Sequence, residues 1–126
     1  MIDNTTSKPE PAQVLADTYR RLVQLERTIG ALADATEDAF ISWGFQQADA
    51  ADARDALRTA PSLADTAPLP PNTEPLPDAT VESLAELTTG LRRELITLSE
   101  QVSDPLDQHA CLTAALFVGH LNESLR

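Results

Sequence analysis

Apolar side chains recur every seven residues through the first half of the chain. One heptad position holds Leu15, Leu22, Ile29, Thr36, Trp43, Ala50 and Leu57, and the position three residues later holds Thr18, Leu25, Leu32, Ala39, Gln46 and Ala53. Apolar residues with this spacing line one face of an α-helix. The polar and alanine interruptions favour an amphipathic helical region over a strict coiled coil.

A second helical stripe follows in the last third of the chain, formed by Val81, Leu84, Thr88, Leu91, Leu95, Leu98 and Val102. Asp78 or Thr80 can cap the start of this helix, and we predict that it ends near Ser103. Asp104 and Pro105 then have the chemistry of an N-cap and a first helical residue, and Asp107 adds favourable charge in the first turn. The pattern predicts helices over 79–103 and 105–125.

Prolines separate the two helical halves, at Pro61, Pro68, Pro70, Pro71, Pro75 and Pro77. No helix interior accepts such a run, so we predict a proline-rich linker over 61–77. At about 3.1 Å per residue the linker reaches roughly 50 Å. A 24-residue helix is about 36 Å long, so the linker can return the chain along a whole bundle. We expect a disordered tail over 1–9 and one helical domain over 10–126, with halves 10–60 and 78–126.

The sequence pattern over residues 11–59 is compatible with either one long helix or two shorter helices. The unbroken heptad favours one helix, whereas Gly30 and the capping-box pattern from Asp34 to Glu37 favour a break. Residues 22–34 also align without gaps on residues 95–107, where the second half must bend. We therefore predict an all-α four-helix bundle of two hairpins, 11–33 with 35–59 and 79–103 with 105–125. The alternative is one long helix over 11–59 plus the C-terminal hairpin, assembled as a dimer.

Charge and composition exclude several classes of protein. The 126 residues include 9 basic and 20 acidic side chains, for a net charge of −11, which opposes binding to the phosphates of nucleic acid. A single cysteine forms neither an internal disulfide framework nor a multi-thiolate zinc site. The sequence has no apolar run of membrane-spanning length, and its first residues lack the features of a secretory signal. We expect an acidic cytoplasmic protein, with a lysine-poor, alanine-rich composition typical of GC-rich bacterial genomes.

The residues that most often carry chemistry do not form a recognisable motif. His109 and His120 share a face of the last helix but lie about 16 Å apart, too far to bind one metal ion, and Cys111 points to another face. The Glu-x-x-His pairs of di-iron bundles are missing. We predict a buried Cys111, hydrogen-bonded histidines and no cofactor or metal.

Acidic residues support two further hypotheses. Asp49, Asp52 and Asp55 share a helix face, as do Glu82 and Glu86, and such a face is usually solvated. One alternative function is a small-ligand or metal-dependent helical enzyme that uses Asp49, Asp52, Glu82 and Glu86. The other is an acidic decoy that binds a basic partner.

Two segments are more apolar than a solvent-facing helix requires, namely 40–45 and 110–119. A helix that is apolar all round is buried on more than one face. The candidates for an interface, or for the core beneath it, are Phe40, Ile41, Trp43, Phe45, Cys111, Leu116 and Phe117. We therefore predict a non-catalytic interaction or regulatory protein that forms a homodimer, binds another protein, or does both.

Overall fold

The chain folds as a set of packed α-helices. A computed structural model describes residues 11–35, 43–64 and 73–125, and every regular element in these ranges is helical. The helices are α1 (Pro11–Ala35), α2 (Gly44–Arg58), α3 (Pro61–Ala64), α4 (Val81–Gln101) and α5 (Pro105–Ser124). The predicted all-α class is confirmed.

Side-chain caps define the first residues of the two C-terminal helices. Thr80 accepts a hydrogen bond from the Ser83 amide at 3.0 Å, while the Ser83 hydroxyl accepts one from the Thr80 amide at 2.8 Å. This reciprocal pair is a capping box, and it selects Thr80 over Asp78 as the cap of α4. Asp104 accepts from the Leu106 amide at 2.8 Å, with Pro105 as the first residue of α5. The predicted caps and boundaries of both helices are confirmed to within about two residues.

Three predicted boundaries in the first half of the chain are wrong. α1 continues through Asp34 to Ala35, so the break expected between residues 33 and 35 does not occur there. The second helix, predicted over 35–59, is α2, which begins at Gly44 after a non-helical Trp43 and ends at Arg58. Thr36 and Glu37, which complete the capping-box pattern, lie outside the described residues. The predicted linker also begins with a helical turn, α3. Pro61 is its first residue, where a missing amide proton costs no intrahelical hydrogen bond.

The helices pack side by side in antiparallel pairs. α1 lies against α2, since Glu26 forms an ion pair with Arg54, and Gly30 faces the side chain of Gln47. The alternative of one continuous helix over 11–59 is therefore wrong. α2 also packs against α5, α5 packs extensively against α4, and α1 makes a smaller contact with α4.

The core is built mainly from leucine. Within the described residues, the two heptad positions of α1 are buried from Leu15 to Ile29, and α2 contributes Ala50, Ala53 and Leu57. The predicted stripe of α4 is buried from Leu84 to Val102. Val81 is the exception at 45% exposed, because it is the first residue of its helix.

The two described ends of the proline-rich segment lie at opposite ends of the helices. Ser62 hydrogen-bonds to Asp107 at the start of α5. Leu76, which leads into α4, donates its amide to the Thr28 hydroxyl of α1 at 2.9 Å. Because α4 and α5 are antiparallel, the start of α4 is at the far end from the start of α5. The described residues on either side of the segment, Ser62 and Leu76, are therefore separated by about the length of the helices.

Candidate functional site

The structure distributes the predicted interface or core residues over three environments. Cys111 is fully buried, and Trp43 and Phe117 are partly buried against the core. Phe45 is 82% exposed and Leu116 is 56% exposed. Phe40 and Ile41 lie outside the described residues. The candidates therefore do not form one cluster, and α5 carries the group of them that extends from the core to the surface.

The outward side of α5 carries an uncharged stripe with two exposed leucines, which we call the α5 outer stripe: His109, Leu112, Leu116 and His120. Leu112 is 51% exposed and Leu116 is 56% exposed, and both histidines are exposed. The spacing of three and four residues places all four side chains on one face of the helix. Residues 108–122 contain no Asp, Glu, Lys or Arg, so the stripe has no formal charge when its histidines are neutral.

The buried side of α5 consists largely of smaller residues. Ala110, Ala114 and Val118 are at most 1% exposed and face the core, together with Cys111. The large leucines 112 and 116 are therefore directed away from the core while alanines are directed into it. Sequence reasoning named Leu116 but missed Leu112, although Leu112 lies in the same uncharged run.

The Cys111 thiol has low reactivity in the folded chain. Burial, with a smaller contribution from the negative charge of Asp107, raises the pKa of its thiol to about 11. The thiol therefore stays protonated near neutral pH, and a protonated thiol is a poor nucleophile. His109 lies 3.5 Å from the Thr113 hydroxyl, and the His120 ring packs edge-on against Phe117 at 6.4 Å between centroids.

The acidic residues considered for metal binding lie on two helices that do not touch. Asp49 and Asp52 belong to α2, and Glu82 and Glu86 to α4, but the neighbours of α2 are α1, α3 and α5. Burial raises the pKa of Asp49, the charge of Asp52 adds to this shift, and His120 opposes it. Among residues 11–35, 43–64 and 73–125, no group of three or more His, Cys, Asp or Glu is placed to hold a metal ion.

Polar contacts that the sequence did not reveal hold α4 against its neighbours. The amide nitrogen of Asn122 lies 2.9 Å from the Ala85 carbonyl oxygen and from the hydroxyls of Thr88 and Thr89. On the other side of α4, Glu94 pairs with Arg21 at 3.0 Å. These contacts fix the register of α4 against both α5 and α1.

The described surface includes a groove on α4 and α5 and another near the start of α1. One, of about 290 Å³, lies along α4 and α5 and is lined by Thr89, Arg92, Arg93, Ile96, Thr97 and Asn122. The other, of about 250 Å³, lies where the start of α1 meets the segment between α4 and α5. Asp107 lines this second groove, but its carboxylate oxygens already accept hydrogen bonds from Ser62. The polar side chains of the first groove, such as Arg92 and Arg93, therefore have more free hydrogen-bond donors than Asp107 has free acceptors.

Comparison of the chain with protein-family models, curated proteins and solved structures gave no match. Among the helices of the described ranges, none combines the length and apolar character needed to cross a membrane.

Proposed function

We propose that this chain is a non-catalytic helical interaction module of the cytoplasm, and that two copies associate through the α5 outer stripe. In this proposal α1, α2, α4 and α5 form a four-helix bundle, since each packs antiparallel to two of the others. The observation that carries the proposal is the pair of exposed leucines, Leu112 and Leu116, in an uncharged stripe of a strongly acidic chain.

Electrostatics favours this stripe over other surfaces as the contact between copies. Each chain has a net charge of −11, so two copies repel each other over most approaches. The repulsion is smallest where neither surface carries a carboxylate. Residues 108–122 themselves contain no carboxylate, and their leucines supply the apolar area that association requires.

In a dimer with a two-fold axis, the α5 outer stripe of one copy packs against the same stripe of the other copy. In such an interface the same patch is used by both copies, so Leu112 and Leu116 each count twice. Burying one leucine side chain contributes about 1.5–3 kcal/mol. The predicted residues fit this arrangement, with Leu116 in the stripe, Phe117 beside it and Cys111 in the core beneath it. In the reducing cytoplasm the single thiol of Cys111 would stay free.

The proposal is tested by measuring the mass of the purified chain with sedimentation equilibrium and native mass spectrometry. We expect a dimer that Leu116→Asp converts to a folded monomer. The loss of two buried leucine contacts, about 3–6 kcal/mol, raises the dissociation constant by roughly 10²–10⁴-fold. Val81→Asp is the matched control, since Val81 is exposed, apolar and at the start of α4.

Circular dichroism of each variant separates dissociation from unfolding. A wild-type chain that stays monomeric at the highest soluble concentration overturns the proposal. A dimer that Leu116→Asp leaves intact shows that the contact is elsewhere, and it would direct attention to the exposed Phe45 on α2.

A further inference from the structure

Arg92 and Arg93 differ from most arginines of the described chain in their charge pairing, since among the described arginines only Arg58, at the end of α2, likewise has neither a hydrogen bond nor an ion pair. Arg20, Arg21 and Arg54 form ion pairs with carboxylates, and Arg27 hydrogen-bonds to the Thr73 carbonyl. Within the part of the chain that the structure describes, Arg92 and Arg93 have neither a hydrogen bond nor an ion pair. A protein with a net charge of −11 thus keeps two adjacent guanidinium groups without a carboxylate partner.

The sequence explains why these two charges stay unpaired. On a helix, a side chain meets residues three and four positions away. For Arg92 and Arg93 these positions hold Thr88, Thr89, Gly90, Leu95, Ile96 and Thr97, none of which is acidic. Glu94 follows directly in sequence, but it faces α1, where it accepts hydrogen bonds from Thr18 at 2.9 Å and Arg21 at 3.0 Å.

The surrounding structure makes a groove of about 290 Å³ at this pair. Gly119 of α5 leaves room for the Arg92 side chain, because a Cβ at this position would lie only 3.3 Å from Arg92 Nε. Asn122 and Thr89 line the groove and are held by the hydrogen bond between them. The hydroxyl of Thr97 is a further donor on the α4 side.

We propose that this groove binds a phosphoryl group, as the dianion of a phosphate monoester. Guanidinium groups bind phosphate oxygens through paired, charge-assisted hydrogen bonds. A phosphate monoester carries nearly two negative charges above its second pKa of about 6, which matches two arginines, whereas a carboxylate carries only one. Ile96 adds an apolar contact for the organic part of the ligand. This inference does not depend on self-association.

The test is a titration of the full-length, isotopically labelled chain with inorganic phosphate, followed by NMR of the backbone amides at constant ionic strength. We expect saturable shifts at residues 89–97 and 119–122, and only weak, non-saturating shifts with acetate. Arg92→Gln and Arg93→Gln should each weaken phosphate binding about tenfold or more, and the double variant should abolish saturation. Arg58→Gln, at the end of α2, is the matched control and should bind as the wild type does.

Three results would overturn the inference. Shifts that follow chloride or acetate as closely as phosphate would show a general effect of salt. Phosphate shifts elsewhere on the chain would place the site away from the groove. Equal binding by the wild type and the Arg92→Gln/Arg93→Gln variant would show that the arginines do not carry it. The helical circular dichroism of the variants confirms that loss of binding is not loss of fold.

Discussion

The hydrogen bonds between Ser62 and Asp107 fasten the start of the proline-rich segment to α5. Asp107 is only 3% exposed, and it accepts the Ser62 amide at 3.1 Å and the Ser62 hydroxyl at 2.6 Å. A hydrogen bond to a charged group contributes about 1.5–3 kcal/mol. Replacing Asp107 by Ala removes both bonds, so we expect the free energy of unfolding to fall by about 3–6 kcal/mol.

The Ser62→Ala variant separates the two contacts. It removes the hydrogen bond from the Ser62 hydroxyl but keeps the one from the Ser62 amide, so it should lower the free energy of unfolding by about 1.5–3 kcal/mol. In the Asp107→Ala background the Ser62 hydroxyl has no carboxylate to bond, so Ser62→Ala should change the free energy of unfolding little. The double-mutant cycle should therefore give a coupling energy of about 1.5–3 kcal/mol.

Urea unfolding followed by far-UV circular dichroism measures each corner of this cycle. Ser103→Ala, an exposed serine between α4 and α5, is the control and should change stability by less than about 0.5 kcal/mol. Additive effects of Ser62→Ala and Asp107→Ala would refute the reasoning, because they would mean that the two side chains do not interact.

Two further predictions concern buried groups. Gln46 Oε1 is buried without a hydrogen-bond partner in the described part of the chain, so Gln46→Met should raise the free energy of unfolding by about 1–3 kcal/mol, with the exposed Gln47→Met as control. Equal urea midpoints for the two variants would contradict this. Because folding raises the pKa of Cys111 from 9.0 to about 11, the thiol's contribution to stability is complete below pH 9.0 and is lost as pH rises towards 11. Cys111→Ala should flatten this alkaline loss in urea titrations, and an unchanged pH dependence would show that other groups cause it.

The sequence was most informative where one local interaction decides the structure. The cap at Asp104–Pro105 depends only on the Asp104 side chain and the Leu106 amide two residues later, so it can be predicted from the sequence without knowledge of packing. The buried stripe of α4 is similarly readable, because Leu84 to Val102 repeat with the helical period. For Cys111, an uncharged run on both sides was enough to predict burial.

Predictions failed where neighbouring elements compete with local preference. The Asp34 cap pattern is chemically sound, but residues 31–35 are rich in alanine and extend a helix at little cost, so α1 continues through Asp34. The α3 turn depends on Asp107, which is 45 residues away in sequence and meets Ser62 only in the folded chain. The groove at Arg92 and Arg93 likewise needs Gly119 of α5 beside Arg92 of α4, a contact that periodicity does not show.

The distribution of large and small side chains on α5 argues for a partner more strongly than its overall hydropathy does. Ala110, Ala114 and Ala115 are at most 4% exposed, whereas Leu112 and Leu116 are more than half exposed. A buried leucine contributes more to stability than a buried alanine does, because it removes more apolar area from water. A helix that served only the core of its own chain would gain by the reverse arrangement. The leucines gain that free energy only when a second surface covers them. Under the proposed self-association, Leu116→Asp should therefore abolish dimer formation while leaving the unfolding of the monomer nearly unchanged.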